Sequence, residues 1–311
     1  MNVALLGFGT VGEGVYDIIS NELNDMYIKA ILVKHQEQHV QIKRLLVNDI
    51  ETILENRHID CVIEVIGGID IAYDYIKRAL IHKKHVVTAN KAVVSKYFNE
   101  LNELASKYQV SFRFEASVGG GINIIDSLLK VSKYNHIYHI EGIINGATNF
   151  ILSRVFIENE TIEDALLKAK SLGYIEQDPK DDLEGVDLAR KMHILSMIAY
   201  QRPINDKDIK ITSFLSITQN MIGEAKSKQQ VIKYVGISTL NKESIKIEVK
   251  PIIVDCGHIY QHINYEENII IVKGKYHQKQ VFIGQGAGRY PTANAIIYDL
   301  LKIKGSSKKR C

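Results

Sequence analysis

A short acidic segment in the middle of the chain ends in a lysine that could take part in proton transfer. Residues 173–191 read GYIEQDPKDDLEGVDLARK and place several acids ahead of Lys191, namely Glu176, Asp178, Asp181, Asp182, Glu184 and Asp187. Asp187 and Lys191 are four positions apart, so a helix would carry both side chains on one face. The group could bind a substrate ammonium and use the lysine as a proton donor. It could equally be a surface ion pair beside acids that cap a helix, and charge spacing leaves both interpretations open.

The N-terminal region contains a glycine pattern typical of a dinucleotide site. Residues 7–12 read GFGTVG, directly after a predicted strand and at the start of a predicted helix. Gly7 would permit the tight turn, Gly9 would let a pyrophosphate approach the backbone, and Gly12 would let helix and strand pack closely. The alternative is a tight turn without a ligand. The pattern favours cofactor contacts by Gly7, Phe8, Gly9, Thr10, Val11 and Gly12.

The end of the second predicted strand bears on the choice between NAD and NADP. NAD enzymes usually have an acidic residue there, which binds the ribose hydroxyls. Here the strand ends Val33-Lys34-His35, and the first acid is Glu37. Lys34 could attract a 2′-phosphate, so we expect NADP to be preferred, with NAD as the alternative. The alternative is that Lys34 is an exposed lysine at the end of a strand and binds no ligand.

Polar residues also follow a later predicted strand, in the sequence TANK at 88–91. In an open α/β sheet the carboxyl ends of the strands border the cofactor crevice, so Thr88 and Lys91 are candidates for cofactor contacts. Lys91 could polarise a carbonyl group or bind a carboxylate. It could also be a solvated loop lysine, and spacing does not decide between the two.

Two further segments are rich in glycine. Residues 115–122, EASVGGGI, combine Glu115 with three consecutive glycines whose carbonyls have little steric cover. Such a loop could hold a monovalent cation through oxygen ligands, although the residues alone favour a flexible domain connection. Residues 284–293, GQGAGRYPTA, include Gly286 and could return the chain to the cofactor. A plain turn is the alternative.

The elements that must position these residues follow two patterns. In the first third, apolar runs alternate with amphipathic helices, which predicts a Rossmann-like, doubly wound parallel sheet. The predicted strands are 3–6, 28–33, 61–65, 85–88 and 111–114, and the predicted helices are 11–23, 71–83 and 95–108.

Later segments predict a second, α+β domain. Helices are expected at 161–173 and 185–200, followed by strands that alternate strictly, as at 245–250. Further strands at 269–272 and 280–283 complete a mixed sheet with one covered face, and a final helix spans 292–303.

These patterns divide the chain into two domains. We predict a dinucleotide-binding domain over 1–123, to which a C-terminal helix within 285–311 returns. A substrate-binding and dimerisation domain is predicted over 124–284.

Composition argues against several classes of protein. The 311 residues are 46% hydrophobic and 24% charged with a net charge of +3, which is typical of a globular chain and gives no reason to expect nucleic acid or a membrane surface as a partner. No apolar stretch reaches the roughly 18 residues that span a bilayer, and the N-terminus does not resemble a signal peptide. Cys61, Cys256 and Cys311 are scattered, so we expect no disulfide framework, no zinc site and a reducing cytoplasm.

Taken in order, these segments resemble the homoserine dehydrogenase family. The matching stretches are GFGTVG at 7–12, TANKA at 88–92, EASVGGGI at 115–122, NGATNFIL at 145–152, the acidic segment at 173–191 and GQGAGRYPTA at 284–293. The resemblance implies NAD(P)H-dependent interconversion of L-aspartate 4-semialdehyde and L-homoserine, on the route to threonine and methionine. It also implies a homodimer joined through the second sheet.

The resemblance assigns roles position by position. Lys91 and Lys191 match the family's catalytic lysines, with Lys191 as proton donor and acceptor and Asp187 beside it. The matches to the substrate site are Thr148, Glu176, Asp182, Asp187 and Lys191. The matches to a sodium-type cation site are Glu115 and the carbonyls of Val118, Gly120 and Ile122.

The chain departs from the family pattern at two positions. Asn123 stands where a proline is common, and Ala147 replaces a usual threonine. We also expect no C-terminal regulatory ACT domain, because the chain ends soon after the closing helix. Two alternatives stay open: a semialdehyde dehydrogenase that uses a cysteine nucleophile, and a non-catalytic NADP-binding paralogue.

Overall fold

The computed structural model describes residues 1–175, 178–242 and 244–307, and these belong to two units. The first unit is Met1–Asn123 with Gly288–Cys311, and the second is Ile124–Ala287. In the described part of the chain the strands are β1 (Asn2–Leu6), β2 (Tyr27–Leu32), β3 (Leu46–Val47), β4 (Cys61–Glu64), β5 (His85–Thr88), β6 (Phe112–Arg113), β7 (Ile137–Ile143), β8 (Ile209–Ile211), β9 (Val231–Asn241), β10 (Ser244–Val254), β11 (Glu267–Gly274) and β12 (Gln278–Gln285). The helices are α1 (Thr10–Glu22), α2 (Ile50–Leu54), α3 (Asp70–Ile81), α4 (Lys91–Lys107), α5 (Ile124–Val131), α6 (Gly146–Ile157), α7 (Ile162–Ser171), α8 (Lys180–Leu183), α9 (Val186–Tyr200), α10 (Gln219–Ser227) and α11 (Arg289–Ser307).

The first unit is built on a parallel sheet with the strand order β3-β2-β1-β4-β5-β6. Every pairing in this sheet is parallel. The residues of β1 from Val3 to Leu6 are fully buried, as expected for a central strand covered on both faces. Strand order reverses at β1, so the loops after β1 and β4 border the topological switch point where such sheets bind ligands. The predicted Rossmann-like fold class is confirmed.

One helix of this unit begins earlier than the sequence predicts. The prediction starts the helix at residue 95, whereas α4 begins at Lys91. Asn90 is the N-cap, and its side chain accepts a hydrogen bond from the Val93 amide at 3.1 Å. Lys91 is therefore the first residue of a helix and does not belong to a solvated loop.

The last described helix packs on the first helix of the same unit. α11 is longer at both ends than the predicted 292–303. A Cβ on Gly14 would lie 2.8 Å from the Arg289 Cγ and 3.1 Å from the Ala293 Cβ, so glycine is needed for the close approach of α1 and α11. Arg289 also forms an ion pair with Glu13.

The second unit contains a mixed sheet with the order β12-β11-β7-β9-β10-β8. β8 and β10 are parallel and the other neighbours are antiparallel. In β10, Ile247 and Val249 are fully buried and alternate with Lys246 and Lys250, as the pattern predicts. A Cβ on Gly236 would overlap the Met192 side chain, which shows how closely α9 packs on this sheet.

The sequence pattern does not predict β7 or β9, the two central strands of this sheet. β9 has five consecutive buried residues from Ile232 to Gly236, so it lacks the alternation that marks a half-exposed strand. Among the described residues, no helix combines the length and the apolar character that crossing a membrane requires.

Gly142 lies in β7, and we predict that Gly142→Ala destabilises the second unit by about 3 kcal/mol, because its methyl group would overlap the Ile269 carbonyl oxygen. Gly223→Ala is the matched control: this glycine lies in α10, and a Cβ there meets nothing within 4 Å. The control should be neutral or stabilising by up to about 1 kcal/mol, since alanine favours helix. Urea unfolding measures both changes, and equal midpoints for the two variants would contradict the prediction.

Candidate active site

The lysine at the end of the acidic segment is held inside the second unit. Lys191 Nζ lies 2.8 Å from Asp187 Oδ2 and donates a hydrogen bond to the Ile144 carbonyl at 2.7 Å. The Lys191 and Asp187 side chains are only 12% and 4% exposed. The expected shared helix face is therefore observed, and the ordinary surface ion pair is excluded because a surface pair would be hydrated.

Asn145 joins this ion pair to another acid. Its amide nitrogen donates to Asp182 Oδ1 at 2.7 Å and to Asp187 Oδ2 at 2.9 Å. Its side-chain oxygen Oδ1 accepts hydrogen bonds from the Thr148 amide at 2.8 Å and from the Thr148 hydroxyl at 2.9 Å. One side chain thus caps α6 and holds two carboxylates from α8 and α9 side by side.

Sequence reasoning missed Asn145, although a local signal was present. Asparagine before Gly-Ala-Thr and an apolar run is a typical N-cap signature, and Asn145 is the N-cap of α6. The signal predicts the cap. It does not reveal that the same side-chain amide binds Asp182 and Asp187, which are 37 and 42 positions further along the chain.

The other predicted members of this site have different surroundings. Thr148 is fully buried, and its hydroxyl is taken up by the Asn145 cap. Asp181 pairs with Arg190 on an exposed face, so it does not join Asp182 and Asp187. Glu176 lies outside the described residues.

Gly185 explains how α9 begins at the site. It is the N-cap of α9 with φ +83°, a left-handed conformation that favours glycine. A Cβ there would overlap the Tyr234 hydroxyl oxygen. Asp187 then falls in the first turn of α9, where the helix dipole favours a negative charge.

In the first unit, the glycine turn has the geometry that a dinucleotide needs. Gly7 has φ +101°, and a Cβ on it would lie 2.8 Å from the Val65 carbonyl oxygen. A Cβ on Gly12 would lie 2.5 Å from the Gly7 carbonyl oxygen, whereas one on Gly9 would meet nothing within 4 Å. Gly7 and Gly12 therefore serve close packing, and Gly9 leaves open space at the N-terminus of α1, where backbone amides can bind phosphate.

The residues beside the turn include an exposed lysine and a buried aromatic ring. Lys34 follows β2 and is exposed, while the nearby acid Glu37 lies 3.3 Å from His35. Phe8 is buried and packs edge-on against the rings of Tyr16 and His39. A positive side chain is thus accessible at the end of β2, and the acid there already has a partner.

The ends of β4 and β5 are joined by a buried carboxylate that sequence reasoning did not single out. The Thr88 hydroxyl donates to Glu64 Oε2 at 2.5 Å, and both residues are fully buried. Thr88 therefore supports the backbone at this edge of the sheet, next to Lys91 at the start of α4. Only the continuous apolar run around Glu64, which predicts a buried strand, could have marked it.

The glycine-rich loop at 115–122 is buried and tightly turned. Glu115 is 1% exposed, and its amide donates to Asp299 Oδ2 at 2.8 Å. Gly119 and Gly120 have φ of +79° and +54°, so two successive residues are left-handed and redirect the backbone carbonyls. Across the described residues, no group of three or more His, Cys, Asp or Glu side chains is arranged to hold a metal ion. A cation here would depend on one carboxylate and on carbonyl oxygens.

Gly286 has a packing role within the second unit. A Cβ on it would overlap the Asn268 side-chain amide, and its own amide donates to the Glu266 carbonyl at 3.2 Å. This close approach explains why a glycine is needed at this position.

Comparison with known proteins assigns the family. Residues 7–115 match the model of the homoserine dehydrogenase NAD-binding domain, and residues 124–301 match the homoserine dehydrogenase model. This chain belongs to the homoserine dehydrogenase family. It is accordingly an NAD(P)-dependent oxidoreductase, and the resemblance drawn from its motifs is confirmed.

Relatives in this family match nearly the whole chain. Homoserine dehydrogenase from Bacillus subtilis is 35% identical over 314 residues, which cover 97% of this chain and 72% of the relative. A homoserine dehydrogenase structure from Thiobacillus denitrificans has a TM-score of 0.92 at 32% identity and covers 97% of this chain and 73% of its own. One from S. aureus at pH 7.0 has a TM-score of 0.83 at 35% identity, with 99% and 77% covered.

The bridging role of Asn145 can be separated from its role as a helix cap. We predict that Asn145→Ala lowers the free energy of unfolding by about 1 kcal/mol through loss of the cap and also removes most turnover. Asn145→Asp keeps a cap acceptor but puts a third carboxylate beside Asp182 and Asp187, so turnover should fall without the same loss of stability.

Urea unfolding and steady-state rates measure the two effects. Thr161→Ala is the control, because Thr161 caps α7 by accepting from the Asp164 amide at 3.1 Å and lies outside the site. It should lose similar stability and keep its activity. Wild-type turnover in Asn145→Asp would contradict the bridging role.

Proposed function

We propose that this chain interconverts L-aspartate 4-semialdehyde and L-homoserine, with NADP(H) preferred and NAD(H) as the alternative cofactor, on the route to threonine and methionine. The observation that carries the proposal is the buried Lys191–Asp187 ion pair, which the Asn145 amide links to Asp182. The buried lysine provides an acid for proton transfer, and the two carboxylates that Asn145 links provide a negative surface for an ammonium substrate.

The second unit would bind the amino-acid substrate. The carboxylates of Asp182 and Asp187, together with Glu176, are proposed to hold the substrate ammonium. Thr148 would contribute by fixing the Asn145 amide that orients both aspartates. Since the aspartates come from α8 and α9, substrate affinity depends on how Asn145 holds these two helices at the start of α6.

Lys191 is the proposed proton donor in the reductive direction. When bound, the nicotinamide cofactor would supply the hydride that adds to the aldehyde carbon. The Lys191 ammonium stabilises the negative charge that develops on the aldehyde oxygen and donates a proton to it, so aldehyde, hydride and proton together give the alcohol. In the reverse direction neutral Lys191 takes the hydroxyl proton. Asp187 and the Ile144 carbonyl hold the amine in place, and general acid catalysis of this kind typically contributes about 10²–10⁴-fold.

The first unit would bind the cofactor. The glycine turn is proposed to hold the pyrophosphate, and Lys34 the 2′-phosphate. Lys91, as the first residue of α4, is the second proposed catalytic lysine and would orient the reacting groups. The full set of proposed cofactor contacts is Gly7, Phe8, Gly9, Thr10, Val11, Gly12, Lys34, Thr88, Lys91 and Gly286.

A monovalent cation such as sodium is proposed at the buried glycine-rich loop. Its ligands would be Glu115 and the carbonyls of Val118, Gly120 and Ile122. Hard cations prefer oxygen ligands, and the left-handed backbone at Gly119 and Gly120 is compatible with a tight turn of this loop. The cation would stiffen the loop.

The proposed assembly is a homodimer joined through the mixed sheet. β12 is an edge strand of that sheet, and its Val281 and Ile283 are 39% and 51% exposed. Exposed apolar side chains on an edge strand favour a partner. A reducing compartment such as the cytoplasm suits the free cysteines Cys61 and Cys256.

A dehydrogenase with a cysteine nucleophile is the competing enzyme, and the cysteines disfavour it. Cys61 is fully buried in β4, and burial raises the pKa of its thiol well above the usual value, which suppresses the thiolate. Cys256 is exposed in the turn that follows β10. Cys311 lies outside the described residues. The non-catalytic paralogue is disfavoured because both lysines and the acids are present.

Replacing the proton donor tests the proposed function. We predict that Lys191→Ala leaves NADPH binding intact and lowers turnover of aspartate semialdehyde by at least about 10²-fold. Lys180→Ala, in the exposed first turn of α8, is the matched control and should keep wild-type rates. The measurements are steady-state rates and a calorimetric cofactor titration. Both are made below the melting temperature of the variant, because Lys191→Ala leaves the buried Asp187 without its ion-pair partner and therefore lowers stability. Near-wild-type turnover in Lys191→Ala would reject the assignment.

Replacing Lys34 tests the cofactor preference. We predict that Lys34→Ala raises the KM for NADPH about fivefold and leaves that for NADH unchanged, because only NADPH carries the 2′-phosphate and the lysine is exposed. Lys29→Ala removes another exposed lysine of the same region, on β2, and should change neither value. Equal effects of Lys34→Ala on both cofactors would argue against a phosphate contact.

A further inference from the structure

Glu64 is a buried carboxylate for which the proposed reaction has no assigned use. It is the last residue of β4 and is 0% exposed. A carboxylate without solvent contact is costly unless its charge is compensated. The hydrogen-bond partners of Glu64 must therefore explain how its burial is tolerated.

The hydrogen-bond partners of Glu64 are neutral. Its carboxylate accepts from the Thr88 hydroxyl at 2.5 Å and from the Ile66 amide at 2.9 Å. The Gly67 amide and the Asn90 side chain also favour the ionised form of Glu64 and so lower its pKa. Thr88 in turn accepts from the Asn90 amide at 2.9 Å. These contacts connect the loops that follow β4 and β5.

The partners satisfy the oxygens of Glu64 but contribute no positive charge. Burial raises the pKa of Glu64, and the hydrogen bonds from its neutral neighbours oppose that rise because they favour the ionised form. In the part of the chain that the structure describes, Glu64 has no ion pair with a basic side chain. When it is ionised, the carboxylate places negative potential at this edge of the sheet, where a positive ligand group would be stabilised.

The topology indicates which part of a dinucleotide would experience that potential. β4 neighbours β1, and Gly7 after β1 packs against the Val65 carbonyl directly after Glu64. In a sheet of this order the pyrophosphate binds at the first glycine turn and the adenosine ribose at the end of β2. The nicotinamide half must then extend to the other side of β1, towards the ends of β4 and β5.

We propose that Glu64 positions the loops that receive the nicotinamide half, and that its negative charge raises the affinity for oxidised cofactor relative to reduced cofactor. The oxidised ring carries a positive charge and the reduced ring carries none, so a nearby carboxylate distinguishes them by charge alone. The same charge would stabilise the positive charge that develops as hydride leaves during aldehyde reduction. This inference rests on the proposed function, because it requires that the first unit binds NADP(H).

Direct binding measurements on the full chain test the proposal without turnover. Isothermal titration calorimetry gives Kd for NADP⁺ and for NADPH separately, in the absence of substrate. Glu64→Gln should weaken NADP⁺ binding about three- to tenfold relative to NADPH, as expected for one charge acting through a partly buried site. Glu64→Asp keeps the charge but shortens the reach, so it should weaken both cofactors and leave their ratio unchanged.

A matched control and a second variant keep the test decisive. Glu100→Gln removes another hydroxyl-bonded carboxylate of the first unit, which accepts from the Tyr73 hydroxyl at 2.6 Å on an exposed helix face, and it should leave the ratio unchanged. If Glu64→Gln does not fold, Ile66→Lys puts a positive charge on the adjacent loop, where the side chain is 38% exposed. It should lower the affinity for NADP⁺ relative to NADPH, with Ile66→Met as its neutral control.

The outcomes separate this inference from the proposed function. An unchanged NADP⁺ to NADPH ratio in Glu64→Gln or Ile66→Lys, with both cofactors still bound, would overturn the role of the charge and leave the enzyme assignment intact. An equal loss of affinity for both cofactors in Glu64→Gln would show that Glu64 has only a structural role, and this result would overturn the proposal as well. A wild-type chain that binds neither cofactor would remove the proposed function and this inference together.

Discussion

The buried ion pair between Lys191 and Asp187 is the interaction on which the second unit's chemistry depends. Removing two charges from water is expensive, and the cost is recovered only when the remaining hydrogen-bonding capacity is used. Here the Ile144 carbonyl and the Asn145 amide provide those contacts. The ammonium can therefore stay in one orientation next to Asp187 rather than moving freely as a surface lysine would.

Both units use asparagine N-caps in the same way. In the second unit Asn145 caps α6 with its oxygen and uses its nitrogen to hold two carboxylates. In the first unit Asn90 caps α4 with its oxygen, while its nitrogen donates to the Gly68 carbonyl at 2.6 Å. A capping amide has a donor left over when its acceptor is used, and in each case that donor organises the loop beside the proposed chemistry.

Features that depend on neighbouring residues could be predicted from the sequence, whereas features that depend on residues far apart in the chain could not. The glycine turn at 7–12 can be predicted from the sequence because a tight turn, a helix start and close packing are set by neighbouring residues. The helix face shared by Asp187 and Lys191 can be predicted for the same reason. The central strand β9 is missed because burial on both faces removes the alternation that marks a strand. Glu64 is missed because an acid in an apolar run looks like an ordinary strand residue until its partner Thr88, 24 positions away, is known.

By itself the sequence determined the parallel sheet, the dinucleotide turn, the family and the set of chemically capable side chains, because local spacing controls turns, caps and helix faces. Only the tertiary structure decided whether those side chains are used. It buried the ion pair of Lys191, turned Asp181 towards Arg190 on the surface, and brought Asn145 to two acids that are distant along the chain. The physical reason is that desolvation and hydrogen-bond partners depend on which helices and strands pack together, and charge spacing along the chain contains no record of that packing.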